Sequence, residues 1–277
     1  MLLKTEDMQN KNNNLVEDTD IKFLERAITD HQGDIKKFKT AYRQQKGDNP
    51  GPGLVFLAGF KADMDGSKAE ALAAWCASKD LAFLRFDYFG HGQSEGDFIE
   101  GTVSLWREDV FEIISKLTTG PQIIVGSSFG GWLSLMAACH KPLDISALVL
   151  VAPAVDMTDR LMESFFNKAL LKELHNNGVA YLPSDYDDEG YPITKELIED
   201  GRKHLMLEKG IEFKGPVRIL HGRLDTSVPW SLSLELAGAL ASQDVETTFV
   251  EHGDHSLSEP ENIDLLTTTL SRLYDQI

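Results

Sequence analysis

Residues 122–140 read QIIVGSSFGGWLSLMAACH, and this stretch decides the fold. The β-branched run at its start is typical of a buried strand, and the apolar run at its end is typical of a buried helix. Residues 126–130 between them form a Gly-x-Ser-x-Gly string, which a chain of this composition contains by chance about one time in ten. Its position between a strand and a helix predicts a sharp bend that exposes a serine hydroxyl above a sheet. The spacing selects Ser128 rather than Ser127 as the exposed serine.

The alternation of short apolar runs and helical patterns continues on both sides of this stretch. Strands that read as continuous apolar runs, separated by helices, predict an α/β fold with a mostly parallel central sheet and helices on both faces. The strand patterns lie at residues 53–60, 81–89, 147–155, 217–222 and 247–253, and the helix patterns at 67–80, 103–117, 231–242 and 262–274.

Two segments of the chain do not follow the alternation of strand and helix patterns: residues 156–210 and residues 1–34. Residues 156–210 are rich in helix patterns and charge and contain no evident strand, so they are predicted to form a helical cap inserted between two sheet strands. Residues 35–155 and 211–277 then form the core. Residues 1–34 are polar and are predicted to be an N-terminal extension outside that core.

Two later loops offer partners for Ser128. A serine hydroxyl is a poor nucleophile at neutral pH and needs a base that a third group orients. The segment HGRLDTSVP (221–229) places Asp225 just after a strand, and VEHGDHSL (250–257) places His255 after the last strand. Both loops follow the carboxyl ends of parallel strands, where open α/β sheets place their sites, and the order Ser, Asp, His is that of a known triad arrangement.

Each partner has a rival. Asp225 also fits a simple turn residue, and Asp156, which follows the preceding strand, is the alternative acid. His252 is the alternative base, and a chance metal site formed with His255 is a further interpretation.

Two main-chain N–H groups are predicted to stabilise an oxyanion. One belongs to Phe129, the residue after the candidate nucleophile, and the other to Phe60 in the loop LAGFKADMDG (57–66). A plain glycine turn at Gly59 is the alternative for that loop. The neighbouring Lys61 is expected to be solvated, with contact to a substrate carboxylate as the alternative.

The segment GHGQS (90–94) is predicted to be a structural tight turn. Its next glycine, Gly96, is misplaced by one residue for a dinucleotide-binding loop, and no clear helix follows. His91 is therefore given no catalytic role.

An apolar stripe at helical spacing crosses the predicted cap. It is expected to pack on the core, to line a pocket for an acyl chain, or to do both. The candidate pocket residues are Met157, Leu161, Met162, Phe165 and Phe166, and the stripe continues to Leu170 and Leu171.

Composition restricts the partners. The 27 Lys and Arg residues against 44 Asp and Glu residues give a net charge of −17, which disfavours nucleic acid. No apolar run approaches the roughly 20 residues of a membrane-spanning helix, and the opening MLLKTEDMQNKNNN resembles no targeting segment, so a cytoplasmic location is expected. Cys76 and Cys139 are interpreted as reduced thiols. The sequence leaves the oligomeric state unknown.

Five segments together resemble the α/β-hydrolase superfamily. They most resemble the branch of the mitochondrial palmitoyl-protein thioesterase that also cleaves acyl glucuronides, from about Phe38 to the end of the chain. This resemblance implies Ser128 as nucleophile, Asp225 as acid and His255 as base. The segments are DYFGHGQSEG (87–96), WREDV (106–110), GPQIIVGSSFGGW (120–132), RILHGRLDTSVPW (218–230) and GDHSL (253–257).

These observations predict a serine hydrolase that cleaves carboxylic esters or thioesters through an acyl-enzyme, with no metal and no cofactor. Its expected partner is a small-molecule or acylated substrate. A non-catalytic binding module with the same fold is one alternative. A peptidase or a cofactor-free peroxidase that uses the same triad is another.

Overall fold

The computed structural model describes residues 20–29, 35–162, 166–182 and 190–277. Its strands are β1 (Lys22–Thr29), β2 (Ile35–Gln45), β3 (Gly53–Leu57), β4 (Phe83–Phe86), β5 (Gln122–Ser127), β6 (Ile145–Val151), β7 (Val179–Leu182), β8 (Tyr191–Thr194), β9 (Val217–Gly222) and β10 (Val245–Val250). Its helices are α1 (Ser67–Ser78), α2 (Val103–Leu117), α3 (Phe129–Cys139), α4 (Met157–Arg160), α5 (Lys168–Asn177), α6 (Lys195–Gly201), α7 (Ser231–Ala239) and α8 (Pro260–Tyr274). Short 3₁₀ helices cover Phe98–Glu100 and Arg202–His204.

Within the described residues, eight strands form one sheet in the order β1-β2-β4-β3-β5-β6-β9-β10. The strands from β3 to β10 in this sheet run parallel, and β1 and β2 extend it antiparallel at one edge. Successive residues of β3 point to opposite faces, so that Leu54 packs with α1 and α8 while Val55 packs with α2 and α3. The predicted parallel sheet with helices on both faces is confirmed.

The N-terminal boundary of the core differs from the sequence prediction. Residues 1–34 were expected outside the core, but β1 pairs with β2 along its full length and is the edge strand of the sheet. Its inward position is filled by Arg26, which is buried, forms an ion pair with Asp109 of α2, and donates from Nε to Glu112 Oε2 at 2.6 Å. Because a charged residue takes the place of an apolar one, the strand reads as a polar segment.

The inserted residues 156–210 also differ from the prediction of helices alone. They contain the antiparallel pair β7 and β8, which are only four residues long each and are half-exposed. The predicted apolar stripe does not lie on one helix, because α4 ends at Arg160 and α5 begins at Lys168. Leu171 at its far end is exposed, and Phe165 lies outside the described residues.

The strand order places a crevice at one end of the sheet. The chain proceeds from β3 to β4 on one side and returns to β5 on the other, so the connections leave β3 and β5 in opposite directions. Open α/β sheets bind their ligands at such a reversal, outside the carboxyl ends of the strands. Ser128 follows β5 there, and the loop 58–66 follows β3.

No helix among the described residues is long and apolar enough to cross a membrane. Cys76 lies in the core and Cys139 is half-buried, and no disulfide joins them in the described part of the chain.

Candidate active site

Ser128 occupies a strained bend between β5 and α3. Its φ of 53° and ψ of −117° lie in a region that residues with a side chain rarely adopt. Three main-chain hydrogen bonds hold it there: its N–H donates to Val151 O at 2.8 Å, and its carbonyl accepts from Gly131 N at 2.9 Å and Ala154 N at 3.0 Å. The bend is therefore fixed by β6 and by the start of α3.

The two glycines that flank the bend are required by close packing. A Cβ on Gly126 would lie 2.2 Å from Ser134 Oγ, and a Cβ on Gly130 would lie 2.1 Å from Leu57 O. Any larger residue at either position would push α3 away from β3 and β5, and would move the Ser128 hydroxyl with it.

The structure brings the three predicted residues together. His255 Nε2 lies 3.0 Å from Ser128 Oγ, and His255 Nδ1 lies 2.7 Å from Asp225 Oδ2. A carboxylate only accepts hydrogen bonds, so Nδ1–H donates to Asp225 and Nε2 is left to accept the Ser128 proton. This is the arrangement that a general base needs.

Asp225 is held by four donors. Its Oδ1 accepts from Ser227 N at 2.8 Å and Val228 N at 2.7 Å, and its Oδ2 accepts from both His255 and His221. Burial alone raises the pKa of the carboxyl, but the hydrogen bonds from the two histidines and the main chain hold that pKa well below its usual range. The acid is therefore ionised at neutral pH.

Lys68 of α1 ties down the loop that carries His255. Its Nζ donates to Ser256 O at 2.5 Å and to Ser258 Oγ at 3.1 Å. Burial lowers the pKa of the lysine to about 8, although the nearby negative charge of Asp254 acts to raise that pKa. The sequence gives no local signal for this contact, which joins residues 188 positions apart.

The rival residues lie elsewhere in the structure. Asp156 is buried, and its carboxylate accepts from Met206 N at 2.8 Å and Leu207 N at 3.0 Å. His252 is exposed to solvent. The residues that the structure describes contain no group of three His, Cys, Asp or Glu able to hold a metal ion.

Two main-chain N–H groups near Ser128 have no acceptor among the described residues. They belong to Phe60 and Phe129, the predicted oxyanion donors. The loop after β3 passes directly beside the serine, because a Cβ on Gly59 would lie 3.5 Å from Ser128 Cβ. Uncommitted donors at this position suit a developing negative charge.

The residue after Phe60 is held by a histidine. Lys61 has a φ of 57°, and its N–H donates to His91 Nε2 at 3.1 Å. His91 Nδ1–H in turn donates to Phe89 O at 3.1 Å. Burial lowers the pKa of His91 to about 4, so the ring is neutral and accepts at Nε2. His91 thus lies in a structural turn, as predicted, and also supports the loop of Phe60.

The Phe60 ring packs edge-on against four aromatic rings. The centroid distances are 5.0 Å to Phe98, 5.7 Å to Trp106, and 5.9 Å to both Phe129 and Tyr191. Tyr191 belongs to β8, so the inserted region rests on the loop that follows β3.

Lys61 is not simply solvated. Its Nζ lies 3.4 Å from Gly190 O and 5.8 Å from the centre of the Tyr191 ring. The lysine therefore joins the loop after β3 to the inserted region.

The candidate pocket residues of the inserted region are buried where the structure describes them. Met157, Leu161, Met162 and Phe166 all belong to the apolar cluster that contains Phe129. Leu161 also borders a cavity of about 130 Å³, whose other lining residues are Arg160, Pro229, Ser231, Leu232 and Glu235.

Comparison with known proteins identifies relatives of the chain. Residues 52–188 match the protein family described as Serine aminopeptidase, S33. The mitochondrial palmitoyl-protein thioesterase ABHD10 of Bos taurus is 41% identical over 241 residues, which cover 86% of this chain and 77% of that protein.

Solved structures agree. Alpha/beta hydrolase domain-containing protein 10 from mouse superposes with a TM-score of 0.82 at 38% identity, over 93% of this chain and 99% of that one. A putative hydrolase from Agrobacterium vitis S4 superposes with a TM-score of 0.84 at 34% identity, over 91% and 99% of the two chains. The resemblance found in the sequence is confirmed. The chain belongs to the α/β-hydrolase family, in the branch that contains the ABHD10 proteins.

Proposed function

We propose that this chain is a serine hydrolase that cleaves carboxylic esters or thioesters through an acyl-enzyme. The observation that carries the proposal is the hydrogen-bonded series from Ser128 through His255 to Asp225, with the serine in a strained bend at the carboxyl end of β5. Loss of any member would remove the nucleophile, the base or the group that orients the base.

In the proposed reaction, Ser128 Oγ attacks the acyl carbonyl while His255 Nε2 takes its proton. Asp225 holds the imidazole in the required tautomer and stabilises the imidazolium that forms. The proton then passes from Nε2 to the departing alkoxide or thiolate. Water, deprotonated by the same imidazole, attacks the acyl-enzyme. The bond from Ser128 Oγ to the acyl carbon then breaks, and the imidazolium returns its proton to Oγ as the carboxylic acid is released.

The carbonyl oxygen becomes negatively charged in both steps. The N–H groups of Phe60 and Phe129 are proposed to donate to it, because neither has another acceptor among the described residues. Both donors are main-chain groups, so they are insensitive to the chemistry of their own side chains.

The acyl group is proposed to be a long apolar chain in thioester linkage. The ABHD10 relative is named a palmitoyl-protein thioesterase. The side chains Met157, Leu161, Met162 and Phe166 support this substrate class, because they add apolar surface to the same core cluster as Phe129 and apolar surface favours an acyl tail over a polar one. Phe165 is part of the same proposal from its sequence spacing alone.

The decisive experiment compares Ser128→Ala with Ser127→Ala. Turnover of a short p-nitrophenyl ester and of a palmitoyl thioester is measured, together with labelling by a fluorophosphonate probe. We expect Ser128→Ala to lose roughly 10⁴-fold or more in kcat and all labelling. Ser127→Ala should keep both, because the hydroxyl of this adjacent serine makes no hydrogen bond with any described residue.

Retention of wild-type turnover by Ser128→Ala would overturn the proposal. A wild-type protein that neither turns over substrate nor labels favours the binding module. Because the matched family is described as an aminopeptidase, aminoacyl p-nitroanilides belong in the substrate panel. Their turnover in preference to esters favours a peptidase, and halide oxidation by peroxide favours a peroxidase.

The cytoplasmic location predicted from the sequence stays a prediction. The ABHD10 relative carries the word mitochondrial in its name. Fractionation of cells that express the full chain with a C-terminal tag measures the location directly.

A further inference from the structure

A second histidine donates to the acid of the proposed triad. His221 is the penultimate residue of β9 and is completely buried. Its Nε2 lies 3.0 Å from Asp225 Oδ2 and 3.0 Å from Val228 O, and its Nδ1 lies 2.7 Å from Ser233 Oγ. The proposed mechanism assigns no role to this imidazole.

The contacts determine which nitrogen carries hydrogen. Both atoms near Nε2, a carboxylate oxygen and a carbonyl oxygen, only accept hydrogen bonds, so Nε2–H donates. In the neutral ring, Nδ1 then accepts the Ser233 hydroxyl proton. Ser233 lies on α7, is completely buried, and makes no other side-chain hydrogen bond within the described residues.

The donors form one directed series across four elements. Ser233 O–H of α7 donates to His221, and His221 Nε2–H donates to Asp225 in the loop after β9. From the other direction, His255 Nδ1–H in the loop after β10 donates to the same carboxylate oxygen.

Sharing one oxygen between two imidazoles fixes the direction of the carboxylate. Asp225 Oδ1 is occupied by the N–H groups of Ser227 and Val228, and His221 occupies one side of Oδ2. The remaining side of Oδ2 faces His255 and makes the shorter contact, 2.7 Å against 3.0 Å. Without His221, the carboxylate has a free lone pair and an unfilled side toward which it rotates.

We propose that His221, with its ring held in place by Ser233, is a positioning residue that orients the Asp225 carboxylate toward His255. This inference rests on the proposed function, since it assigns His221 a role in the same triad. His221 touches neither the substrate nor the reacting atoms, so it acts through Asp225 alone.

The test compares three variants with a matched control. His221→Leu fills much of the same space with a side chain that cannot donate a hydrogen bond. His221→Gln places an amide N–H near the position of Nε2. Ser233→Ala removes the hydroxyl that holds the His221 ring at Nδ1. Ser242→Ala is the control, because its hydroxyl is also buried but donates to Gly215 O at 2.7 Å, at the opposite end of β9.

For each variant, kcat and KM are measured on a short p-nitrophenyl ester, with the melting temperature as a check on folding. We expect His221→Leu to lower kcat about 10- to 100-fold with KM within about twofold, the effect of losing one hydrogen bond to a charged group. His221→Gln should recover most of that loss. Ser233→Ala should lower kcat about 3- to 10-fold, and Ser242→Ala should leave it unchanged.

Wild-type kcat in both His221→Leu and Ser233→Ala would overturn the inference, as would a His221→Gln variant that folds and is as impaired as His221→Leu. If His221→Leu does not fold, Ser233→Ala decides alone: a lower kcat than Ser242→Ala supports the role, and an equal kcat rejects it. Ser128→Ala, assayed in parallel, separates the two proposals, because its inactivity upholds the nucleophile whatever His221 does.

Discussion

The two sides of the active site are held by different kinds of contact. On the acid–base side, defined here by Ser128, His255, Asp225 and His221, the functional groups are side chains, and hydrogen bonds between side chains join each of them to the next. On the oxyanion side, defined by residues 58–64 and Phe129, the donors are main-chain N–H groups. That side is supported by the Lys61 contact with His91 and by the aromatic packing around Phe60.

This difference determines how each side responds to substitution. A single change on the acid–base side deletes a side-chain atom that takes part in proton transfer or that orients the group which does. No side-chain change deletes a main-chain donor, so the oxyanion side is altered only by displacing the loop through its supports. Substitutions on the first side should therefore have larger effects on kcat than substitutions on the second.

The largest expected loss of kcat comes from a substitution on the acid–base side. Asp225→Asn keeps the shape of the acid but presents an amide to His255, which then turns its other tautomer toward Ser128. We expect kcat to fall roughly 10³- to 10⁴-fold, because the base is then in the wrong tautomer. The measurement is steady-state turnover of a short ester, with Asp244→Asn, a half-exposed carboxylate paired to Arg218, as the control. A loss below about tenfold would mean that Asp225 is not the acid.

The next effect concerns the stability of the oxyanion side. Asp87 is buried, and its Oδ1 accepts from Met64 N at 2.8 Å at the end of the loop, while its Oδ2 accepts from Gln93 N at 2.8 Å. Burial raises the pKa of Asp87 from 3.8 to about 6. Between these two values the folded protein binds more protons than the unfolded chain, so stability decreases as pH rises from about 4 to about 6.

Asp87→Asn should remove this dependence. The loss over that pH interval corresponds to roughly 2–3 kcal/mol of unfolding free energy in the wild type. Urea unfolding at pH 4, 5 and 6 measures the free energy of unfolding of wild type and variant. Their difference at each pH removes the contribution of the other carboxylates, which both proteins share. Exposed Asp264→Asn should leave the wild-type slope intact. Parallel curves for wild type and Asp87→Asn would contradict the assignment.

The sequence predicts most of the sheet because its inner strands have a simple signature. Strands β3, β5 and β9 are buried at every position, and each shows an apolar core in its sequence even though β9 also contains Arg218 and His221. The signature fails at the periphery. Strand β1 carries Arg26 on its inward side, and β7 and β8 are too short for a period to be visible. Their formation depends on partners elsewhere in the chain, such as Asp109.

The active site also contains residues that the sequence predicts and residues that it does not. Ser128, Asp225 and His255 are recognisable from the sequence because each is a reactive side chain at the end of a strand. The supports are not, because their roles depend on distant contacts: Lys61 and His91 are 30 positions apart. His221 is the instructive exception, since it lies four residues before Asp225. A histidine near the end of a strand, a few residues before a candidate acid, therefore indicates from sequence alone a second partner for that acid.

The smallest expected loss of kcat comes from removing the histidine that supports the loop of the oxyanion side. His91→Phe keeps an aromatic ring among Tyr88, Phe98 and Trp106 but removes the acceptor of the Lys61 N–H. The N–H of Phe60, one residue earlier, is then displaced but not deleted. Complete loss of an oxyanion donor costs roughly 10²- to 10³-fold in kcat, so a displaced donor should cost about tenfold with KM unchanged.

A tetrahedral mimic distinguishes this role from a general loss of packing. Affinity for an alkyl boronic acid, which forms a tetrahedral adduct with the serine, should fall by the same factor as kcat in His91→Phe. His91→Gln, whose side-chain oxygen accepts from the Lys61 N–H, should restore part of both. His140→Phe is the matched control, because His140 stacks on Phe111 at 4.0 Å and touches neither side of the site. Unchanged boronate affinity beside a reduced kcat would place the effect of His91 outside the oxyanion side. The acid–base side would then carry the whole response to substitution.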